Sequence, residues 1–158
     1  MNYEEWKNNK QKKFDELPIF YAFSDAQFAE QMNKRGLKET DTDQIYRFGR
    51  NGFYLKKDSD RIKNFFEEYD KSDKLSDLMN DHDFAVDAFL YEMNNHEYAI
   101  NWQADWEVCN CFCEKECKYG DDKTYIEYLT EQGHENWISA YMEARKKHYK
   151  MADEMEWF

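Results

Sequence analysis

The sequence predicts an α+β fold, with about five helices packed around a small, mainly antiparallel sheet. Three observations predict it. Apolar residues recur at helical spacing over most of the chain. Four short runs of aromatic and branched residues have the length of strands, and two of them flank a turn. The 158 residues include 29 aromatic side chains. Each buried ring removes roughly 150–250 Å² from water, so the rings supply the core that only 27 Leu, Ile, Val and Phe residues and a net charge of −12 would otherwise put in doubt.

The elements follow in order. Residues 3–16 read as a helix with Trp6, Phe14 and Leu17 on one side, ended by Pro18, whose predecessor avoids the α region. Ile19 to Phe23 is a strand-length apolar run. Ser24 caps a helix over 25–35, where Ser24-Asp25-Ala26-Gln27 has the spacing of a capping box and Gly36 suits the stop. Segments 45–48 and 53–56 pair as a hairpin about Gly49-Arg50-Asn51-Gly52. Ile62, Phe65, Phe66 and Tyr69 form an amphipathic stripe, and Leu75, Leu78 and Met79 continue it. Asp83 opens a further helix, with Phe84, Ala88, Phe89 and Met93 inward. Tyr98 to Trp102 is read as a fourth strand. From Asp122 onward the pattern is helical, broken at Gly133. The length suits a single domain over 1–158, made of an α+β core (1–103), a Cys-rich metal loop (104–121) and C-terminal helices (122–158).

Charge is uneven. Residues 1–57 carry 11 bases and 9 acids, whereas residues 58–97 carry 12 acids and 4 bases. Such a chain repels nucleic acid, so direct nucleic-acid binding is not expected, and basic protein surfaces should attract it. If one helix ran through them, Asp70, Asp73, Asp77 and Asp81 would form an acidic stripe, which Asp83, Asp87 and Glu92 extend. These seven residues are the candidate partner-binding surface; a solvated, solubilising face is the competing reading. No apolar run reaches the roughly 20 residues of a membrane span, and the acidic, aromatic N-terminus is unlike a signal peptide. A cytoplasmic protein is expected.

The sharpest chemical signal is Cys109, Cys111, Cys113 and Cys117, all within nine residues. In a cytosolic protein such a cluster points to metal before disulfides, and one structural Zn²⁺ bound by the four thiolates is the expected cofactor. The spacing C-x-C-x-C-x3-C is not that of two separated knuckles, so His134 or His96 is a substitute fourth ligand. Free thiols and a redox pair stay open as alternatives. No H-E-x-x-H, phosphate-cradling glycine loop or nucleophile elbow occurs, so no catalytic residues are assigned and a non-enzymatic protein is expected.

Asn2-Tyr3-Glu4-Glu5-Trp6-Lys7, Leu17 to Phe23 and Phe89 to Tyr98 resemble small acidic phage and mobile-element proteins of Gram-positive bacteria, and the chain looks like a zinc-containing type II-A anti-CRISPR protein. The resemblance implies an inhibitor that binds the type II CRISPR effector nuclease in the bacterial host cell and blocks target DNA loading. That nuclease holds its heteroduplex in a positively charged channel, which an acidic domain complements. The alternative is a phage structural or assembly accessory protein that binds another protein.

Overall fold

The computed structural model describes residues 1–69, 74–120 and 122–157. The α+β class holds. Among the described residues there are eight α-helices and one three-stranded antiparallel sheet. The chain divides into two compact units, one made of Met1–Asn9 with Asp73–Phe158 and the other of Lys10–Ser72. These boundaries differ from the divisions at 103 and 121 read from the sequence. The charge follows the units: the first carries 22 acids and 9 bases, the second 12 acids and 13 bases. No helix among the described residues is long and apolar enough to cross a membrane.

The second unit holds the sheet. Strand β1 (Ile19–Tyr21) pairs with β3 (Gly52–Leu55), and β3 pairs with β2 (Ile45–Phe48), in the order β1-β3-β2. Helix α1 (Tyr3–Asp15), whose residues from Lys10 on belong to this unit, precedes the sheet. Helix α2 (Asp25–Lys34) is capped as its sequence predicts: Ser24 Oγ accepts from Gln27 N at 3.2 Å, and the Gln27 amide oxygen accepts from Phe23 N at 2.8 Å. Phe53 stacks on Phe20 and meets Phe28 of α2 on one side of the sheet. Helix α3 (Ser59–Tyr69) supplies Phe65 and Phe66, which pack on Phe14, while Phe66 also stacks on Phe48. Gly52 is required by close approach: a Cβ there would lie 2.3 Å from Phe48 O and 3.1 Å from the Tyr21 ring.

The first unit is helical. It contains the start of α1, α4 (Leu75–Leu78), α5 (His82–Asn95), α6 (Ala104–Asn110), α7 (Tyr125–Glu131) and α8 (Ile138–Glu154). Asn2 and Glu5 cap α1 reciprocally, Asn2 Oδ1 accepting from Glu5 N and Glu5 Oε2 from Asn2 N. Asp81, rather than Asp83, starts α5: its Oδ1 accepts from Phe84 N at 2.8 Å. The core gathers Tyr3, Phe84, Phe89, Phe112, Trp137 and Tyr141, with Phe89 edge-on to Phe112 and Tyr141 at 4.9 Å. Gly133, at φ +77°, separates α7 from the turn before α8, where a Cβ would be strained.

Two expectations are corrected. Residues 98–102 form turns, not a strand. After α5, Glu97 takes φ +52° and Tyr98 N donates back to Met93 O at 3.0 Å, so the chain folds over the helix end and buries Tyr98. Its Ile and Trp, which suggested a strand, are the exposed side chains Ile100 and Trp102. The stretch 104–121 is also not all loop, since α6 occupies its first seven residues.

Candidate metal centre

Cys109 and Cys111 fall where α6 ends. An extended chain would put Cys109, Cys111 and Cys113 on one side, but the helical turn continues: Cys113 N donates to Cys109 O at 3.1 Å. At about 100° per residue, positions four apart share a face and positions two apart oppose one another. Cys109 therefore points into the core, fully buried. Cys113 lies on the same side, near Cys117. Burial raises the pKa of all three thiols, Cys113 to about 12. The loop is pinned by Cys117, whose N donates to Asn110 Oδ1 and whose carbonyl accepts from the Trp106 indole.

Cys111 faces the other way and meets α5. Among the described residues, the grouping of metal-ligating atoms within 4.8 Å of one another is Glu92, His96 and Cys111. Cys109, Cys113 and Cys117 are outside it, so the four thiols are not gathered as one ligand set. Although Cys111 is an exposed residue, its Sγ turns back to donate to Glu107 O at 3.3 Å and lies 3.6 Å from His96 Nε2. Glu92 Oε2 lies 3.6 Å from the same Nε2. Nδ1 of His96 faces Glu107 Oε2 at 3.5 Å. A carboxylate at one ring nitrogen leaves the other to face an ion, the usual support of a metal-bound histidine.

Glu92 is the centre's fixed point. It is 3 % exposed and so does not belong to the acidic surface expected of it. Its Oε1 accepts from Tyr3 OH at 2.8 Å and from Lys7 Nζ at 2.9 Å, while Asn95 Nδ2 reaches Oε2 at 3.3 Å. Burial opposes ionisation, but the bonds from Lys7 and Tyr3 outweigh it and hold the carboxyl below its ordinary range. The Cys111 thiol is pushed up to about 12 by burial and by the Glu92 charge. Two carboxylates against one ammonium leave the cluster negative, and a cation would favour the thiolate there. The sulfur, nitrogen and oxygen donors can hold a metal ion.

The remaining predicted residues are placed as follows. His134 stacks on Trp137 with ring centroids 3.6 Å apart, away from this grouping. Asp70 and Asp73 lie outside the described residues. Asp77 is on α4, Asp81 caps α5, and Asp83 and Asp87 are exposed on α5, so no single helix carries the stripe. Asp87 is also structural, since its Oδ2 accepts from Tyr3 N at 2.8 Å. Sequence reasoning missed Glu92 as a ligand, although Glu92 and His96 share a helical face at i, i+4. Glu107, Tyr3 and Lys7 carry no comparable local signal; Lys7 and Glu92 are 85 residues apart.

A family of unknown function, DUF7659, matches residues 2–108. The match includes Glu92, His96 and Glu107 and ends before Cys111. No curated protein and no solved structure matches the chain.

Proposed function

The chain belongs to DUF7659, a family of unknown function, and for this member we propose a non-enzymatic docking protein whose acidic unit is shaped by a zinc ion on Glu92, His96 and Cys111. The observation that carries this reading is the convergence of one carboxylate, one imidazole and one thiol within 4.8 Å. Zinc accepts all three donor types, whereas Ca²⁺ and Mg²⁺ take oxygen alone. The ion would tie the end of α5 to the turn after α6, adding a polar link to the apolar contact of Phe89 with Phe112. Its chemical contribution would be structural cross-linking and charge compensation.

Charge supports the docking half. The unit with the metal centre has 22 acids and 9 bases, and among the described residues Asp77, Asp81, Asp83 and Asp87 are exposed and form no salt bridge. Exposed acids without a cationic partner accelerate encounter with a basic surface. The partner implied by the sequence resemblance is the type II CRISPR effector nuclease, with loss of target DNA loading as the consequence. Three of the four histidines have structural surroundings, which suits an inhibitor without turnover: His82 pairs with Glu143, His134 stacks on Trp137, and His148 bridges Asn94 and Ala99. The test is target-DNA binding by guide-loaded nuclease with excess protein. Loss of DNA binding is expected; normal binding and cleavage would reject this partner and leave the assembly-protein reading.

A further inference from the structure

The objection that the chain's charge repels phosphate holds for the acidic unit and not for the other, where 13 bases face 12 acids. Among the described residues, that second unit has cavities lined by cations. The one bounded by Lys10, Lys13, Arg61 and Tyr69 has two of its cations engaged. Lys10 Nζ lies 3.5 Å from Tyr69 O and over the Tyr69 ring, and Arg61 Nη2 donates to Glu16 O at 3.0 Å. Glu16 and Glu68 also line it, so an anion would gain little there.

The second cavity is different. It encloses about 520 Å³ between the β2–β3 hairpin and the start of α2, within the range of small-molecule sites. Its walls include Phe23, Phe28 and Phe53, and its cations are Arg47 and Arg50. Phe23 is 73 % exposed, a ring at a cavity mouth with most of its surface uncovered. Arg47 and Arg50 are exposed, and among the described residues neither forms a salt bridge, in a chain with 34 acids. The Arg47 guanidinium lies over the Phe53 ring, 5.7 Å from its centroid, so the cation and an aromatic wall of the cavity are already in contact. Asp25 is the acid in the lining.

Planar guanidinia without a carboxylate partner recognise phosphate oxygens in pairs, and an open aromatic face takes a flat ring by stacking. We propose that this cavity binds a nucleoside monophosphate, its phosphate held by Arg47 and Arg50, its base against Phe23, and Asp25 available as an acceptor for a ribose hydroxyl. Phosphate or ring alone would use half of the lining.

The test is titration of the full chain with adenosine monophosphate, followed calorimetrically and by amide chemical shifts, with adenosine and inorganic phosphate as separate arms. The nucleotide should bind, with shifts at Phe23, Arg47 and Arg50, and each half-ligand should bind at least about tenfold more weakly. Arg47→Ala with Arg50→Ala should abolish binding, and Phe23→Ala should weaken it about tenfold while melting is unchanged, since that ring supports little of the fold. Lys34→Ala, outside the lining, should bind as the parent does. No binding of the nucleotide, phosphate alone binding equally well, or full binding by the Phe23→Ala variant would each overturn the proposal. The Phe23→Ala arm decides it even where the double arginine variant fails to fold.

Discussion

The Tyr3 hydroxyl donates to Glu92 Oε1 at 2.8 Å, joining residues 89 positions apart in the chain. Through that bond the first turn of α1 sets the orientation of a carboxylate whose other oxygen faces His96 and Cys111. Tyr3→Phe removes one donor from a buried charge and should cost about 2 kcal/mol of stability, measured by urea denaturation. It should also weaken metal binding, because Oε1 is then held by Lys7 alone. Parental stability and metal affinity together would show that Lys7 suffices.

The seven acids read as a docking surface are not equivalent. Asp81 and Asp87 accept backbone hydrogen bonds and Glu92 is buried, whereas Asp77 and Asp83 are exposed without such a role. Asp77→Lys with Asp83→Lys should therefore slow association with the proposed partner, the type II CRISPR nuclease, several-fold at low salt and leave circular dichroism and melting unchanged. An association rate equal to the parent's at low ionic strength would reduce these acids to a solvated face.

His148 is fully buried, with Nδ1 2.7 Å from Asn94 Oδ1 and Nε2 accepting from Ala99 N at 3.0 Å. That arrangement assigns the neutral tautomer protonated on Nδ1, and a second proton would point at an N–H. Burial holds its pKa below the ordinary 6.5. Since the folded value lies below the unfolded one, the neutral ring's contribution is complete above 6.5 and is lost as pH falls from there toward the folded value. The stability advantage over His148→Gln should thus shrink below that pH. A constant difference between about pH 7.5 and pH 5 would contradict it.

Gly52→Ala places a methyl group 2.3 Å from Phe48 O, which the hairpin can relieve only by moving backbone. Overpacking of this kind costs about 1–3 kcal/mol, and the loss should be read in thermal denaturation of the full chain. An unchanged melting temperature would mean that the β2–β3 turn yields freely.

Local signals in the sequence were reliable where the energy is local. Ser24 and Gln27 cap α2 as their spacing requires, and Gly49 to Asn51 turns the hairpin, whose second strand is Gly52–Leu55, one residue before the expected 53–56. The misreadings came from period and from distance. Ile100 and Trp102 look like strand residues, yet the chain there is spent on burying Tyr98 against the end of α5. The four cysteines were expected to gather in one loop, whereas α6 runs to Asn110 and one further helical turn, from Cys109 to Cys113, sends Cys111 away from both. Glu92 looked like one more surface acid because Tyr3 and Lys7, the groups that allow it to be buried, stand at the far end of the sequence.

The metal centre is tested most directly by zinc content per chain, measured by elemental analysis of the protein and of four single variants. Zinc should be present in the parent, be lost from His96→Ala and Cys111→Ser, and fall sharply in affinity in Glu107→Gln, whose parent carboxylate orients His96. Cys117→Ser, which changes a thiol outside the Glu92–His96–Cys111 grouping, should retain it. Zinc lost from Cys117→Ser but kept by His96→Ala would return the ion to the thiolates, and a parent protein without zinc would remove the centre altogether.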